Sequence, residues 1–534
     1  MTAQSEATAR IQAGYTFDTE SIELGVLVAD GEPRPEVKIR LSMSMLNRHG
    51  LVAGATGTGK TKTLQLLAEQ ISAAGVSVFA ADIKGDLSGI ALPGTANEKL
   101  LARTTKIGQD WQPAGCPTEF YALGGQGTGV PLRATVSSFG PILLSKVLGL
   151  NDTQESSLGL VFHYADTQGL PLLDLADLRA LLQHLTSAEG KQELKAIGGL
   201  SSATAGVILR SLITLQTQGA DEFFGEPEFD TRDLIRTAAD GRGVISLLEL
   251  PDLADRPAIF STFLMWLLAD LFGDLPEVGD LDKPKLVFFF DEAHLLFNGA
   301  SKAFLDAIAQ TVRLIRSKGV GIFFVTQSPT DVPDAVLAQL GSRVQHQLRA
   351  HTPKDAKALK QTVETYPTSE YDLAETLQSL GIGEAIVTVL NPNGAPTPVA
   401  WTRMRAPQAS MDPMPADWLA GGVASSPIQA KYGQDINRDS AYEMLTRRLE
   451  AGAARAAAEQ QSQSQTRADA AAAADAAEYE RAQARAERAP SRSSRSRPAP
   501  RSGVERVLGS ATFWNQVIRV GGQVVRTMWG TARR

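Results

Sequence analysis

The run Leu51-Val-Ala-Gly54-Ala-Thr-Gly57-Thr-Gly59-Lys60-Thr61 leaves the chain few architectures. An apolar stretch ends in a glycine-rich turn, and Leu64, Leu67, Ala68 and Ile71 then recur at helical spacing. Gly54, Gly59, Lys60 and Thr61 fit the phosphate-loop pattern G-x-x-x-x-G-K-[ST]. Glycines admit positive φ and let amide N–H groups close on an anion. A helix starting at Gly59 or Lys60 aims further amides, and the positive end of its dipole, at the same point. The residues expected to line this cradle are Gly54, Ala55, Thr56, Gly57, Thr58, Gly59, Lys60, Thr61 and Lys62. Lys60 is expected to reach the β- and γ-phosphates of ATP, and the Thr61 hydroxyl to bind Mg²⁺. A glycine-rich structural turn is the bland alternative.

A second pattern belongs with the first. Lys285-Leu-Val-Phe-Phe-Phe290 is followed by Asp291 and Glu292. A strand that is apolar at successive positions is buried on both faces, as in a parallel sheet. Asp291, at its end, is expected to hold Mg²⁺ directly or through water. Glu292 is the candidate general base for a water. Surface carboxylates are the alternative for both. Asp291-Glu-Ala-His294 spells the signature of DEAH-box helicases, but Ser202-Ala-Thr204 precedes it rather than follows, and no arginine-rich final motif is evident. His294 is therefore read as a helix residue near the site.

Two further apolar runs frame these motifs. Val76–Ala81 ends in Asp82-Ile-Lys84-Gly85-Asp86, and Ile322–Val325 ends in Thr326-Gln327. Polar residues just past strand ends lie near the nucleotide in open α/β sheets. Gln327 is the candidate sensor of the γ-phosphate. Asp82 and Asp86 are either site residues or solvated loop carboxylates. Strand, loop-helix, strand implies a parallel βαβ unit and an α/β class.

The rest of the sequence sets limits. A chain of 534 residues exceeds one small core, and a net charge of −7 excludes a globally basic nucleic-acid coat while leaving room for a basic channel. The single cysteine, Cys116, excludes a disulfide framework or a cysteine metal cluster. Met1–Gln12 has no apolar signal region and no segment is long enough to span a bilayer, so a soluble cytoplasmic protein is expected. The chain parses into residues 1–45, a tail disordered through Thr8 and a β-hairpin; 46–90, the first part of the core; and 91–240, a mostly helical insertion in which Gly124–Gly129 is a loop. Residues 241–405 complete the core, with a hairpin through Asn391-Pro-Asn-Gly394. Residues 406–502 form a linker and an Ala/Arg/Glu-rich segment, open to helix or disorder. In 503–534, Val507, Trp514, Val517, Ile518 and Val525 fall at helical spacing among Arg506, Arg519 and Arg526. Such a basic amphipathic helix docks on its own core or oligomer, in a partner's groove, or on an anionic membrane surface.

Taken together, Gly54–Thr61, Asp291-Glu292, Val312-Arg-Leu-Ile-Arg-Ser-Lys-Gly-Val-Gly-Ile322, Phe324-Val-Thr-Gln327 and Leu340-Gly-Ser-Arg343-Val-Gln-His346 resemble the HerA/FtsK class of P-loop ATPases, and within it the bacterial HerA-like, YjgR-type branch. The resemblance covers about Ser21 to Arg405. It implies a RecA-like core, ATP with Mg²⁺, and a homo-hexameric ring that moves along double-stranded DNA. In such rings a neighbour's arginine completes each site. Arg343 matches that trans finger by position, with Arg313 and Arg316 behind it; a salt bridge in the core or interface is the alternative for Arg343. Lys302 and Lys318 are either channel contacts or solvated lysines. A reading of another class stays open: a nucleotide-switched scaffold that binds protein partners through the insertion or the C-terminal helix.

Overall fold

All five residues of Leu286–Phe290 are buried, and they alternate between two cores. Phe288 and Phe290 face one hydrophobic cluster, Val287 and Phe289 the other. The period of two along a strand puts successive side chains on opposite faces. Both faces are covered, so neither set tolerates a polar residue.

That strand is the eighth of twelve among the described residues. The computed structural model describes residues 3–195, 198–250, 256–298, 300 and 302–487. The strands are β1 (Ser21–Ala29), β2 (Glu32–Ser42), β3 (Gly50–Ala53), β4 (Ser77–Asp82), β5 (Thr118–Leu123) and β6 (Val130–Leu132). They continue with β7 (Ile245–Glu249), β8 (Leu286–Phe290), β9 (Val320–Thr326), β10 (Ser342–Gln345), β11 (Glu384–Thr388) and β12 (Ala400–Met404). One sheet holds them in the order β2-β1-β12-β11-β10-β3-β9-β8-β4-β7-β5-β6. From β10 to β6 every pairing is parallel; from β10 outward to β2 every pairing is antiparallel. The expected α/β class with a mainly parallel sheet is what the chain adopts.

The phosphate-loop strand β3 lies between β10 and β9, with Ala53 opposite Gln345 and Thr326. Parallel strands end on the same edge, so the loops after β3, β9, β8, β4 and β7 converge there. The helix Lys60–Ala73 follows β3 and buries Leu64, Leu67, Ala68 and Ile71 on the second cluster, the face its spacing predicts.

Several boundaries differ from the sequence reading. The stretch 91–240 is largely helical but also supplies β5 and β6, which extend the sheet beyond β7. The N-terminal hairpin is not a separate element. β1 pairs with β12, so β1 and β2 form the antiparallel end of the same sheet. Ala3–Gly14 is a helix where disorder is expected through Thr8, and it is held by Tyr15, whose hydroxyl donates to the carbonyls of Val387 and Pro398 at 2.9 Å. Asn391–Gly394 does turn β11 toward the antiparallel β12, closed by Gly394 N donating to Asn391 O at 2.8 Å.

The largest difference concerns residues 406–450, expected as linker up to a helix over Ser440–Ala451 that does form. Ile428, Tyr432, Ala441 and Leu445 are buried in the first cluster. Glu69, on the phosphate-loop helix, accepts from the amides of Gln408 and Ala409. Ile428 and Tyr432 bracket a helical turn of four residues, too short for periodicity to register, while Ala441 and Leu445 open a long helix. The chain divides into units Met1–Glu450 and Ala451–Arg534. The helix Ala441–Glu487 continues into the second unit, where its described side chains are exposed. The expected basic helix at 503–534 lies outside the described residues. No helix among the described residues is long and apolar enough to cross a membrane.

Candidate functional site

The loop after β3 closes on itself. Thr58 Oγ1 donates to the carbonyl of Ala55 at 2.7 Å, and Lys60 Nζ reaches the same oxygen at 3.3 Å. Gly54, Gly57 and Gly59 have φ of 156°, 81° and 114°. A Cβ on Gly54 would lie 2.5 Å from the Cβ of His346, so close approach as well as φ requires glycine there. The loop is tied to its neighbours by Gly54 N to Thr326 O at 3.2 Å, Ala55 N to Gln347 O at 2.8 Å and Gly383 N to Thr58 O at 3.0 Å. Lys60 opens the helix that follows, where the first amides have no intrahelical acceptor. Thr61 stands beside it in the first turn. Lys62 does not turn into the cradle: its ammonium bonds the carbonyl of Met411.

β8 delivers Asp291 and Glu292 to the same edge, both nearly fully buried. Asp291 Oδ1 accepts from the Glu292 amide at 2.9 Å, while Oδ2 is buried without a hydrogen-bond partner among the described residues. Burial, then the Glu292 charge, pushes the Asp291 carboxyl up to about 7. Burial pulls Lys60 below its ordinary range, against the opposing pull of Glu292 and Asp291. An orphaned carboxylate oxygen beside a buried lysine fits a site built for a divalent cation and a polyphosphate. Asp291 and Thr61 are the residues that would hold Mg²⁺, and the loop from Gly54 to Thr61 would hold the phosphates.

Two carboxylates deepen the acidic edge. Asp82 is buried at the end of β4 and accepts from the amides of Gly85, Asp86 and Leu87, so it shapes the turn rather than sitting solvated. It pairs in register with Glu249 on β7. Burial, followed by backbone hydrogen bonds that pull the other way, raises the Asp82 carboxyl; burial and then the Asp82 and Asp86 charges raise that of Glu249. Glu249 was not legible as a site residue, because only the β4–β7 pairing brings it here.

Gln327, at the exit of β9, is exposed and lines a cleft of about 490 Å³ with Thr56, His294 and Arg349. Arg343 is placed differently. From β10, before the sheet's phosphate edge, its guanidinium bonds the hydroxyl and carbonyl of Thr365, at the end of the helix Pro353–Glu364. Arg349, which the sequence did not single out, donates to the carbonyl of Thr56 at 3.3 Å. Arg313, Arg316 and Lys302 are exposed, while Lys318 donates to Leu275 O at 2.8 Å and lies over the Phe272 ring.

Comparison with known proteins follows the same line. Residues 28–534 match the family described as Helicase HerA-like C-terminal. The chain is 24% identical over 380 residues to the DNA double-strand break repair helicase HerA of Saccharolobus solfataricus, covering 70% of this chain and 67% of that protein. It is 24% identical over 397 residues to the probable helicase MJECL08 of Methanocaldococcus jannaschii, covering 70% and 68%. In structure it is similar to the bacterial conjugative coupling protein TrwBdeltaN70, with a TM-score of 0.50 and 14% identity over 77% of this chain and 94% of that one. The last is a likeness of fold.

Proposed function

Because this chain belongs to the HerA-like helicase C-terminal family, we propose that it is a Mg²⁺-dependent ATPase that works as a homo-hexameric ring on double-stranded DNA. One observation carries the hydrolytic part: the unpartnered Oδ2 of Asp291 stands on the same strand edge as the phosphate loop, in the field of Lys60. When bound, Mg²⁺ supplies Lewis-acid charge to the phosphate oxygens. The chain's own residues do the rest. Gly54 to Lys60 cradle the phosphates, and Lys60 counters charge on the β- and γ-oxygens. Glu292 accepts a proton from the attacking water, and Gln327 orients that water. Arg343 of a neighbouring copy offsets the charge that grows on the transferred phosphoryl group.

The DNA part draws on the relatives named as helicases. Steady-state ATP hydrolysis, with and without linear duplex DNA at low and moderate salt, tests both parts. Duplex DNA should stimulate turnover, more so at low salt, where phosphate contacts are strongest. Turnover no greater than that of Lys60→Ala would remove the ATPase reading. A second reading, a nucleotide-switched scaffold for protein partners, is favoured by Ile142 and Ile213, 62% and 49% exposed on helices of the 91–240 stretch. Hydrolysis indifferent to DNA, with ATP-dependent capture of a protein, would move the assignment there.

A further inference from the structure

Three polar atoms at the exit of β8 are buried without a hydrogen-bond partner among the described residues: Oδ2 of Asp291, Oε2 of Glu292 and Nδ1 of His294. The Mg²⁺ that Asp291 would hold would partner the first. The other two face each other, 3.1 Å apart but not aligned as a hydrogen bond. The remaining carboxylate oxygen of Glu292, Oε1, is held by the ammonium of Lys84. One oxygen of this carboxylate is thus anchored and the other is left without a donor. The Glu292 backbone is fixed as well, at a φ of 47° in the left-handed region that strains a non-glycine residue. Strain of that kind persists where the surroundings over-determine the conformation.

Lys84 owes its place to the sheet. β4 and β8 are neighbours, with Ala81 opposite Phe290, so the turn leaving β4 lies beside the residues leaving β8. The Asp82 carboxylate closes that turn by accepting from Gly85 N at 2.7 Å, Asp86 N at 3.2 Å and Leu87 N at 2.7 Å. The lysine it presents stands among Glu292, Asp291 and Asp86.

The geometry points to Lys84 as the positioning residue for Glu292 in the hydrolysis proposed above, on which this assignment rests. By holding Oε1, Lys84 presents Oε2 on the side of His294, which lines the cleft shared with Gln327 and Thr56. Oε2 is then the oxygen that receives the proton of the attacking water. As that proton leaves, the water oxygen bonds the γ-phosphorus, the bond from the γ-phosphorus to the β,γ-bridging oxygen breaks, and ADP departs with its electron pair. Lys84 remains an ammonium throughout and moves no proton.

The test uses the full chain with Lys84→Met, Lys84→Arg, Glu292→Gln and the Lys84→Met/Glu292→Gln double variant. Lys84→Met should lower kcat at least about tenfold while the affinity for an ATP analogue stays within about twofold, since the lysine acts on the base and not on the phosphates. Lys84→Arg should recover most of kcat. The double variant should be no slower than Glu292→Gln alone, because residues that act as a unit are not additive. A Lys84→Met enzyme with wild-type kcat, parallel loss of kcat and analogue affinity, or a double variant whose losses multiply would each overturn the assignment. Thermal melting of wild type and the four variants separates this from a failure of the ATPase reading. If wild type hydrolyses no faster than Lys60→Ala, the ATPase reading falls by itself. The Lys84–Glu292 link is then decided by melting temperatures, where additive shifts would refute it.

Discussion

Thr63 donates its hydroxyl to Nε2 of His346 at 2.9 Å, and the opposite ring nitrogen, Nδ1, donates to the carbonyl of Glu384 at 2.8 Å. With one nitrogen accepting and the other donating, the ring is neutral. It joins the phosphate-loop helix to the exit of β10 and the start of β11. His49, just ahead of β3, plays a matching part: Nδ1 accepts from Ile322 N at 3.0 Å and Nε2 donates to Val312 O at 2.7 Å. Burial holds both imidazoles down to about 4.

Acid should therefore destabilise the core through these two rings. Their native values lie below the unfolded one, so the unfolded chain binds more protons between about pH 6.5 and 4 and stability falls as pH drops through that window. Each ring contributes on the order of 3 kcal/mol across it. Chemical denaturation at pH 7 and pH 4.5 should show a smaller loss for His346→Gln than for wild type, although the variant is weaker at pH 7. An unchanged difference between the two pH values would count against the neutral ring.

Asp291 predicts the opposite sign. Its carboxyl is raised, so its protonated form is the one the fold prefers, and the associated stability is full below its ordinary value near 3.8 and lost as pH rises through about 7. Without metal or nucleotide, Asp291→Asn should be more stable than wild type at pH 8, by roughly 2–4 kcal/mol. Mg²⁺ with an ATP analogue should raise the melting temperature of wild type and leave the variant nearly unmoved.

Gly54 and Gly57 should differ in their tolerance of alanine. A Cβ at Gly54 meets His346 Cβ at 2.5 Å and Thr58 Oγ1 at 2.9 Å, whereas one at Gly57 meets nothing within 4 Å. Gly54→Ala should cost roughly 2–4 kcal/mol from overpacking and strain, and Gly57→Ala about 1 kcal/mol from its φ alone. Denaturant midpoints would rank them.

Arg343 bonds Thr365 in its own subunit, so its loss should cost the fold only about 1 kcal/mol. If it serves a neighbour's site, Arg343→Ala should cut turnover on the order of 10³-fold. Mixing that variant with Lys60→Ala should restore activity in subunit pairs that hold one intact site. No rescue at any mixing ratio would return Arg343 to a structural role and leave Arg349, on the Thr56 carbonyl, as the arginine to examine.

Two truncations should behave differently. Ending the chain after Glu450 removes described side chains that bury nothing, so the melting temperature should hold. Ending it after Pro415 strips Ile428, Tyr432, Ala441 and Leu445 from the core, a loss of roughly 1.5–3 kcal/mol for each large apolar side chain. Circular dichroism melts of the two would settle which boundary closes the core.

The parts of the fold that were legible in the sequence are those whose signal is local. Leu51–Thr61 and Leu286–Glu292 announce strand, turn and chemistry within a dozen residues. Where the signal depends on pairing, it was hidden. β5 and β6 are short runs inside a helical context; β5 joins the sheet by pairing with β7, and β6 by pairing with β5. The stretch before Ser440 looks like linker because its buried Ile428 and Tyr432 bracket a helix of only four residues. In the site, Lys84 was visible as a letter in Asp82-Ile-Lys84-Gly85-Asp86, yet its contact with Glu292 depends on β4 lying beside β8. Asking which cation leaves the strand next to Asp291 would have found it.

The pairing of β1 with β12 sets Gly25 against Met404. During synthesis the N-terminal hairpin has no neighbour on its inner edge until β12 emerges, a wait of roughly 20 to 75 s at ~5–20 residues per second. An unpaired strand edge held open that long invites pairing with other chains. The seam that completes this sheet is thus also where a nascent copy is most exposed to aggregation, and where a chaperone would have most to protect.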